Sequence, residues 1–215
     1  MPIALLPYNE ARKLILTGDL GLCRSSSILG KAIDHFSDAL GIDRYSHATV
    51  FGYAGNCLMI GETREHADAR LIAASAEIQK FPGYYDVYRA LLWEDIYHEL
   101  PWKVDNYLCN AQRSAVWGFI CRAGGAKYSM RHLAKAWARR RLPFGKTLVS
   151  PFPNSNDPQY PRNCSALVHA AFRSCGVLEI SKFDCDVVPG DLTDPLYFRY
   201  LFTLIWAKSA ETTML

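Results

Sequence analysis

The chain has 215 residues, half of them hydrophobic, with 24 Lys and Arg against 21 Asp and Glu for a net charge of +3. That length and apolar share suffice for one buried core and exclude a disordered chain. So slight a basic excess argues against nucleic acid as a partner, which needs a strongly basic face. The nearest thing to a membrane-spanning run, LYFRYLFTLIWA at 196–207, is too short and carries Arg199 in its middle, so no transmembrane segment is expected.

Taken in chain order, RKLILT at 12–17 reads as a short strand ending at Gly18-Asp19. Residues 26–40 place Ile28, Leu29, Ala32, Ile33, Phe36 and Leu40 at helical spacing, with a serine run before them and Gly41 after. HATVFGYA alternates, Gly55-Asn56 makes a turn, and CLMIGET at 57–63 returns, which predicts a hairpin. Residues 68–80 read as extended up to a turn at 81–83, and YYDVYRALL at 84–92 as another strand. A helix is expected over 103–123, with Val104, Leu108, Ala111, Ala115, Phe119 and Ile120 on one face and Gly124-Gly125 closing it. A basic amphipathic stretch follows at 129–141, ending in Arg139-Arg140-Arg141, which reads as a solvated helix end. The proline-bearing segment 150–161 is a loop, 163–175 a helix, and the tail returns to helix or strand after Pro189-Gly190.

Chemistry concentrates in two of these elements. Seven cysteines, an odd number, lie at 23, 57, 109, 121, 164, 175 and 185 with no C-x-x-C pair. They form neither a zinc site nor a redox motif. Free thiols, and a start (MPIALLPYNEARKLI) without the pattern of a secretory signal, predict a reducing, cytoplasmic setting. Six of the cysteines read as buried and inert. Cys164 differs, because RNCSALVHAAF puts it at the first turn of a helix, where the partial positive charge of the N-terminus favours a thiolate. His47, opening a strand, is the candidate base, and Glu62, across the hairpin, is the candidate group for orienting its ring. His66 is an alternative third member, His169 points to another face of its helix, and Tyr128 and Tyr160 read as structural. Gly145-Lys146-Thr147 fails as a phosphate loop because Arg140 stands where a glycine is required. Asp184 and Asp186 have no histidine or carboxylate at metal-ligand spacing, so neither a metal nor a cofactor is predicted.

The order GD at 18–19, SHA at 46–48, the acidic residue of MIGET and then NCSALVHAAF resembles the circularly permuted NlpC/P60 superfamily of papain-like cysteine hydrolases. Within it the likeness is to the YiiX-like amidases and the lecithin:retinol acyltransferase-like proteins. VVPGDLTDP at 187–195 resembles the segment that follows the nucleophile helix in the YiiX-like group. The resemblance implies Cys164 as nucleophile, His47 as base and Glu62 as the orienting residue, with Asp19 in a turn packed near the site. The family often carries an acidic or larger residue where this chain has Ala166, and the stretch 94–150 exceeds a minimal core as a helical insertion. The expected fold is one α+β domain over 1–215, a permuted papain-like arrangement with an antiparallel, partly barrel-like sheet and packed helices. Three functions fit: an amide or peptide hydrolase, a thiol acyltransferase or esterase on lipid-like substrates, and a binding protein that kept the fold. A wide apolar cleft lined by the Trp and Tyr residues of 84–117 favours the second, and a narrow polar one the first.

Overall fold

A computed structural model describes residues 4–25, 45–64, 67–81, 83–91, 107–131, 134, 154–177, 184 and 187–206. The helix expected at 26–40, the Arg139–Arg141 run, His66 and Asp186 lie outside the described residues. Among those described, the chain forms a mixed α+β fold around one seven-stranded sheet.

The strands are β1 (Leu5–Pro7), β2 (Leu20–Ser25), β3 (His47–Ala54), β4 (Cys57–Arg64), β5 (Ala67–Ala73), β6 (Gly83–Ala90) and β7 (Phe198–Ile205). Their order across the sheet is β1-β7-β6-β2-β3-β4-β5, antiparallel throughout except for the β1–β7 pair. Among the described residues this order runs from β1 at one edge to β5 at the other. The β3–β4 hairpin is the one its alternation predicts, turning at Gly55 with φ of 57°.

The helices are α1 (Tyr8–Ala11), α2 (Ala74–Lys80), α3 (Asn110–Arg122) and α4 (Cys164–Ser174). The strand expected at 12–17 is instead a turn after α1, and the strand comes later, at β2. Ile15 is its only fully buried apolar anchor, so the segment has no face to lay on the sheet. Residues 74–80 are helical rather than extended because Ala74, Glu77 and Ile78 then share one buried face. The expected helix at 103–123 begins only at Asn110, since Tyr107 bridges to Leu91. Its buried side carries Arg113, Val116, Phe119 and Ile120, whereas Ala111 and Ala115 face solvent.

Core residues divide between the two faces of the sheet. Leu20, Leu22, Ala48, Val50 and Tyr88 join α3 and α4 on one face, and Cys23, Phe51, Ile60, Tyr85 and Val87 join α1 and α2 on the other. Close approach of α3 to the hairpin requires glycine. A Cβ at Gly52 would lie 2.2 Å from the Trp117 indole, and one at Gly61 2.1 Å from Ile120. Gly52→Ala is therefore expected to destabilise the fold by about 1–3 kcal/mol, because the rigid indole cannot yield, and urea unfolding checks this.

Candidate active site

The site is built from the start of α4 and the ends of β3 and β4. Asn163 caps α4, its Oδ1 accepting the Ala166 N–H at 2.8 Å. Every residue from Cys164 to Phe172 is buried, and Gly176, at φ of 69°, ends the run. The cap places Cys164 at the first helical position of α4, which packs against β3 and β4. Ser165 fixes the following chain by donating to the Val187 carbonyl at 2.6 Å.

Three side chains predicted from the sequence come together here. The Cys164 sulfur feels the His47 imidazole and the backbone N–H groups of Ala48 and Ser165, each of which favours its thiolate. His47 Nε2 lies 2.9 Å from Glu62 Oε2. The ladder pairs Val50 with Gly61, so Glu62, one residue further on, stands diagonal to His47 rather than directly opposite. With Nε2 committed to the carboxylate, Nδ1 is the ring atom left for the sulfur.

Glu62 does not act alone. Arg64 Nε reaches its Oε2 at 3.1 Å, and Arg70 reaches its Oε1 through Nε at 3.1 Å and Nη2 at 2.7 Å. Arg64 also pairs with Glu77, which continues the network onto α2. Arg70 is the direct β5 partner of Glu62, which is why a carboxylate only 1% exposed is tolerated.

Electrostatics follow from this arrangement. Burial raises the Glu62 carboxyl, but His47, Arg64 and Arg70 outweigh it and hold the pKa at about 2. Burial lowers the His47 imidazole, but the Cys164 thiolate and then Glu62 overcome it and raise the pKa to about 9. Burial raises the Cys164 thiol, and the His47 charge and hydrogen bond, with the N–H groups of Ala48 and Ser165, bring it below a free thiol. Thiol below its ordinary value and imidazole above its own both favour a thiolate–imidazolium pair. Cys164 is 8% exposed and His47 9%, so the pair is nearly closed to solvent.

Other sequence candidates fall elsewhere. Asp19 pairs with the far end of β3, where its carbonyl accepts the Phe51 N–H, four residues along from His47. It lies about 13 Å from the site along the strand and is not packed near it. There it is buried, holding Arg89 at 2.8 Å and Arg113 at 3.1 Å. His169 is fully buried and gives Asp184 a 2.7 Å contact, so that aspartate has a histidine partner that sequence spacing did not reveal. Arg173 grips the same carboxylate at 3.0 Å, and the group clamps α4 to the preceding loop. Six cysteines are free among the described residues, and Cys57, Cys109 and Cys121 are exposed where burial was expected.

No family model matches the chain, and no curated protein does. Among solved structures it is similar to metalloprotein yiiX from Escherichia coli O157:H7, at 15% identity over 91% of each chain with a TM-score of 0.49. So loose a likeness carries no argument about chemistry, which rests here on the geometry of the site itself. Among the described residues, no three His, Cys, Asp or Glu side chains are arranged to hold a metal ion. No helix among them is long and apolar enough to cross a membrane.

Proposed function

We propose that the protein is a cysteine hydrolase that cleaves an amide or peptide bond through an acyl-enzyme on Cys164. One observation carries this reading: a sulfur at the start of α4 faces an imidazole that is itself bound, at 2.9 Å, to an ionised carboxylate. In the proposed cycle the Cys164 thiolate attacks the carbonyl carbon, and backbone N–H groups at the helix start take the developing oxyanion. The His47 imidazolium gives its Nδ1 proton to the leaving amine. Neutral His47 then removes a proton from water, which attacks the thioester and frees the acid, returning the proton to the pair. Glu62 keeps Nε2 protonated and the ring aimed at the sulfur. A histidine that precedes the nucleophile in the chain is what a permuted papain-like arrangement requires, and that arrangement is part of the proposal.

Iodoacetamide labelling at pH 6–7 tests the proposal. Exposure alone ranks Cys57, Cys109 and Cys121 ahead of Cys164. An activated Cys164 reverses that ranking and is modified first, as read by peptide mass spectrometry. Labelling of the three exposed cysteines ahead of it removes the nucleophile and the reading with it.

A further inference from the structure

Asn163, the residue before the nucleophile, carries a polar group that neither the fold nor the proposed reaction has used so far. Its side chain is buried at 1% exposure, and the carboxamide is held at one end only. Two donors face Oδ1, the Ala166 N–H at 2.8 Å and the Ser165 hydroxyl at 3.2 Å, so the oxygen and not the nitrogen occupies the cap. Nδ2 is buried and has no hydrogen-bond partner among the described residues. A buried carboxamide ordinarily satisfies both ends, because an NH₂ taken out of water without an acceptor loses the hydrogen bonds it made in the unfolded chain. A cap needs only the oxygen, and serine would supply one without burying a second polar group. The amide nitrogen is therefore surplus to the fold.

The surroundings fix where that nitrogen lies. Arg162 ties down the incoming chain: its N–H donates to the Lys127 carbonyl at 3.3 Å and its carbonyl accepts the Ser129 N–H at 3.1 Å. The buried Arg162 guanidinium also spans the carbonyls of Ser155, Asp157 and Tyr160. On the other side, the Asn163 carbonyl accepts the Leu167 N–H at 2.9 Å, the first bond of α4. With the backbone pinned on both sides and Oδ1 on the Ala166 N–H, the shape of the carboxamide keeps Nδ2 within about 5 Å of the Ala166 nitrogen. The first turn is also where the sulfur sits, since the Ser165 N–H, one residue before that of Ala166, favours the Cys164 thiolate. Thiolate, first-turn N–H groups and unclaimed amide thus share one helix mouth. A donor fixed in advance and shielded from water is the kind of group that stabilises charge developing on a substrate oxygen.

Resting on the hydrolase reading above, we infer that the Asn163 side-chain amide is an oxyanion donor and hence a further catalytic residue. As the Cys164 thiolate forms the S–C bond, the carbonyl π pair moves onto oxygen and Asn163 Nδ2–H donates a hydrogen bond to it. When that pair returns, the C–N bond breaks and the leaving amine takes the His47 proton. Asn163 gives up neither proton nor electrons and is unchanged over the cycle. Arg162 acts through it as a positioning residue.

The test compares two reactions of one sulfur. Iodoacetamide alkylates by displacement and passes through no oxyanion. The ester p-nitrophenyl acetate acylates through a tetrahedral oxyanion, transferring its acetyl group to Sγ and releasing p-nitrophenolate. Both rates at Cys164 are followed by intact-protein mass spectrometry against a Cys164→Ala blank. Asn163→Ser and Asn163→Asp keep a good cap and remove the donor. Each is expected to lower the ratio of acylation to alkylation by about 10²–10³-fold. A ratio unchanged from the native one, in a variant with native thermal unfolding, overturns the inference. Should both substitutions unfold α4, the native protein decides. Formation of the Cys164 thiohemiacetal with N-acetylglycinal is expected to shift the Asn163 side-chain amide resonances in NMR spectra, and resonances that stay in place overturn the inference. Failure of iodoacetamide to select Cys164 in the native protein, or alkylation there without acetylation, overturns the hydrolase reading and the inference with it, and is seen before any Asn163 variant is made.

Discussion

His47→Ala is expected to lower turnover of an amide substrate by about 10²–10⁴-fold and to abolish the reactivity of Cys164 towards iodoacetamide near pH 6. The buried sulfur sits where desolvation alone pushes a thiol above its free value, and the imidazole is the largest influence opposing that. Without it, only the N–H groups of Ala48 and Ser165 remain to support a thiolate, and the helix-start field is too modest to replace a full charge. The same substitution removes the proton donor for the leaving amine, so acylation loses both nucleophile and acid. A pH series of alkylation rates separates these effects from misfolding. The native protein should react along a limb that begins below the free-thiol range, whereas the variant should follow a limb displaced to higher pH. Identical limbs in the two proteins would mean that His47 does not set the state of the sulfur, and the dyad would be lost.

How much of this site could be seen in the sequence depends on how local the determining interactions are. The β3–β4 hairpin was legible because alternation and a Gly-Asn turn act within 18 residues, and it put His47 and Glu62 on neighbouring strands. The start of α4 was equally legible, since Asn163 is a good cap and the run after it is apolar. The strand misplaced at 12–17 shows the limit. RKLILT has strand-like composition, but only Ile15 is buried, while the true strand LGLCRS has modest propensity and is fixed by pairing with both β3 and β6. Helix α2 was missed for the same reason: its identity depends on burying Glu77 beside Arg64 and Arg70, a relationship across three elements. Arg70 itself was within reach, because continuing the hairpin alternation from Glu62 into β5 places an arginine directly opposite. Asp86 with Arg24, and Asp184 with His169, were not within reach. The first pair spans 62 positions of sequence and the second joins α4 to a segment with no periodicity.

Glu62→Gln separates the charge of the carboxylate from its shape. Arg64 and Arg70 approach the two oxygens as donors, so the glutamine carbonyl is drawn to the arginines and its NH₂ is turned to His47 Nε2. Nε2 must then accept, which places the ring proton on Nδ1 of a neutral imidazole facing the sulfur, the tautomer unable to take a thiol proton. Turnover is expected to fall by about 10²–10⁴-fold. In the native protein an alkaline limb of activity is expected where the imidazolium loses its proton, near a pKa of about 9. In the variant that limb should move below 9, towards an ordinary histidine. Stability should change as well, by about 1–3 kcal/mol at pH 6, because buried donors lose a charged acceptor. The sign with pH is fixed by the two shifts. Glu62 is depressed from 4.5 to about 2, so its contribution is present above 4.5 and lost as pH falls through 2. His47 is raised from 6.5 to about 9, so its contribution is complete below 6.5 and lost as pH rises through 9. The native-minus-variant difference in urea unfolding should therefore be largest between about pH 4.5 and 6.5 and shrink on both sides. A difference that is flat from pH 3 to pH 9 would show that Glu62 supports the fold by shape alone and does not hold the imidazolium.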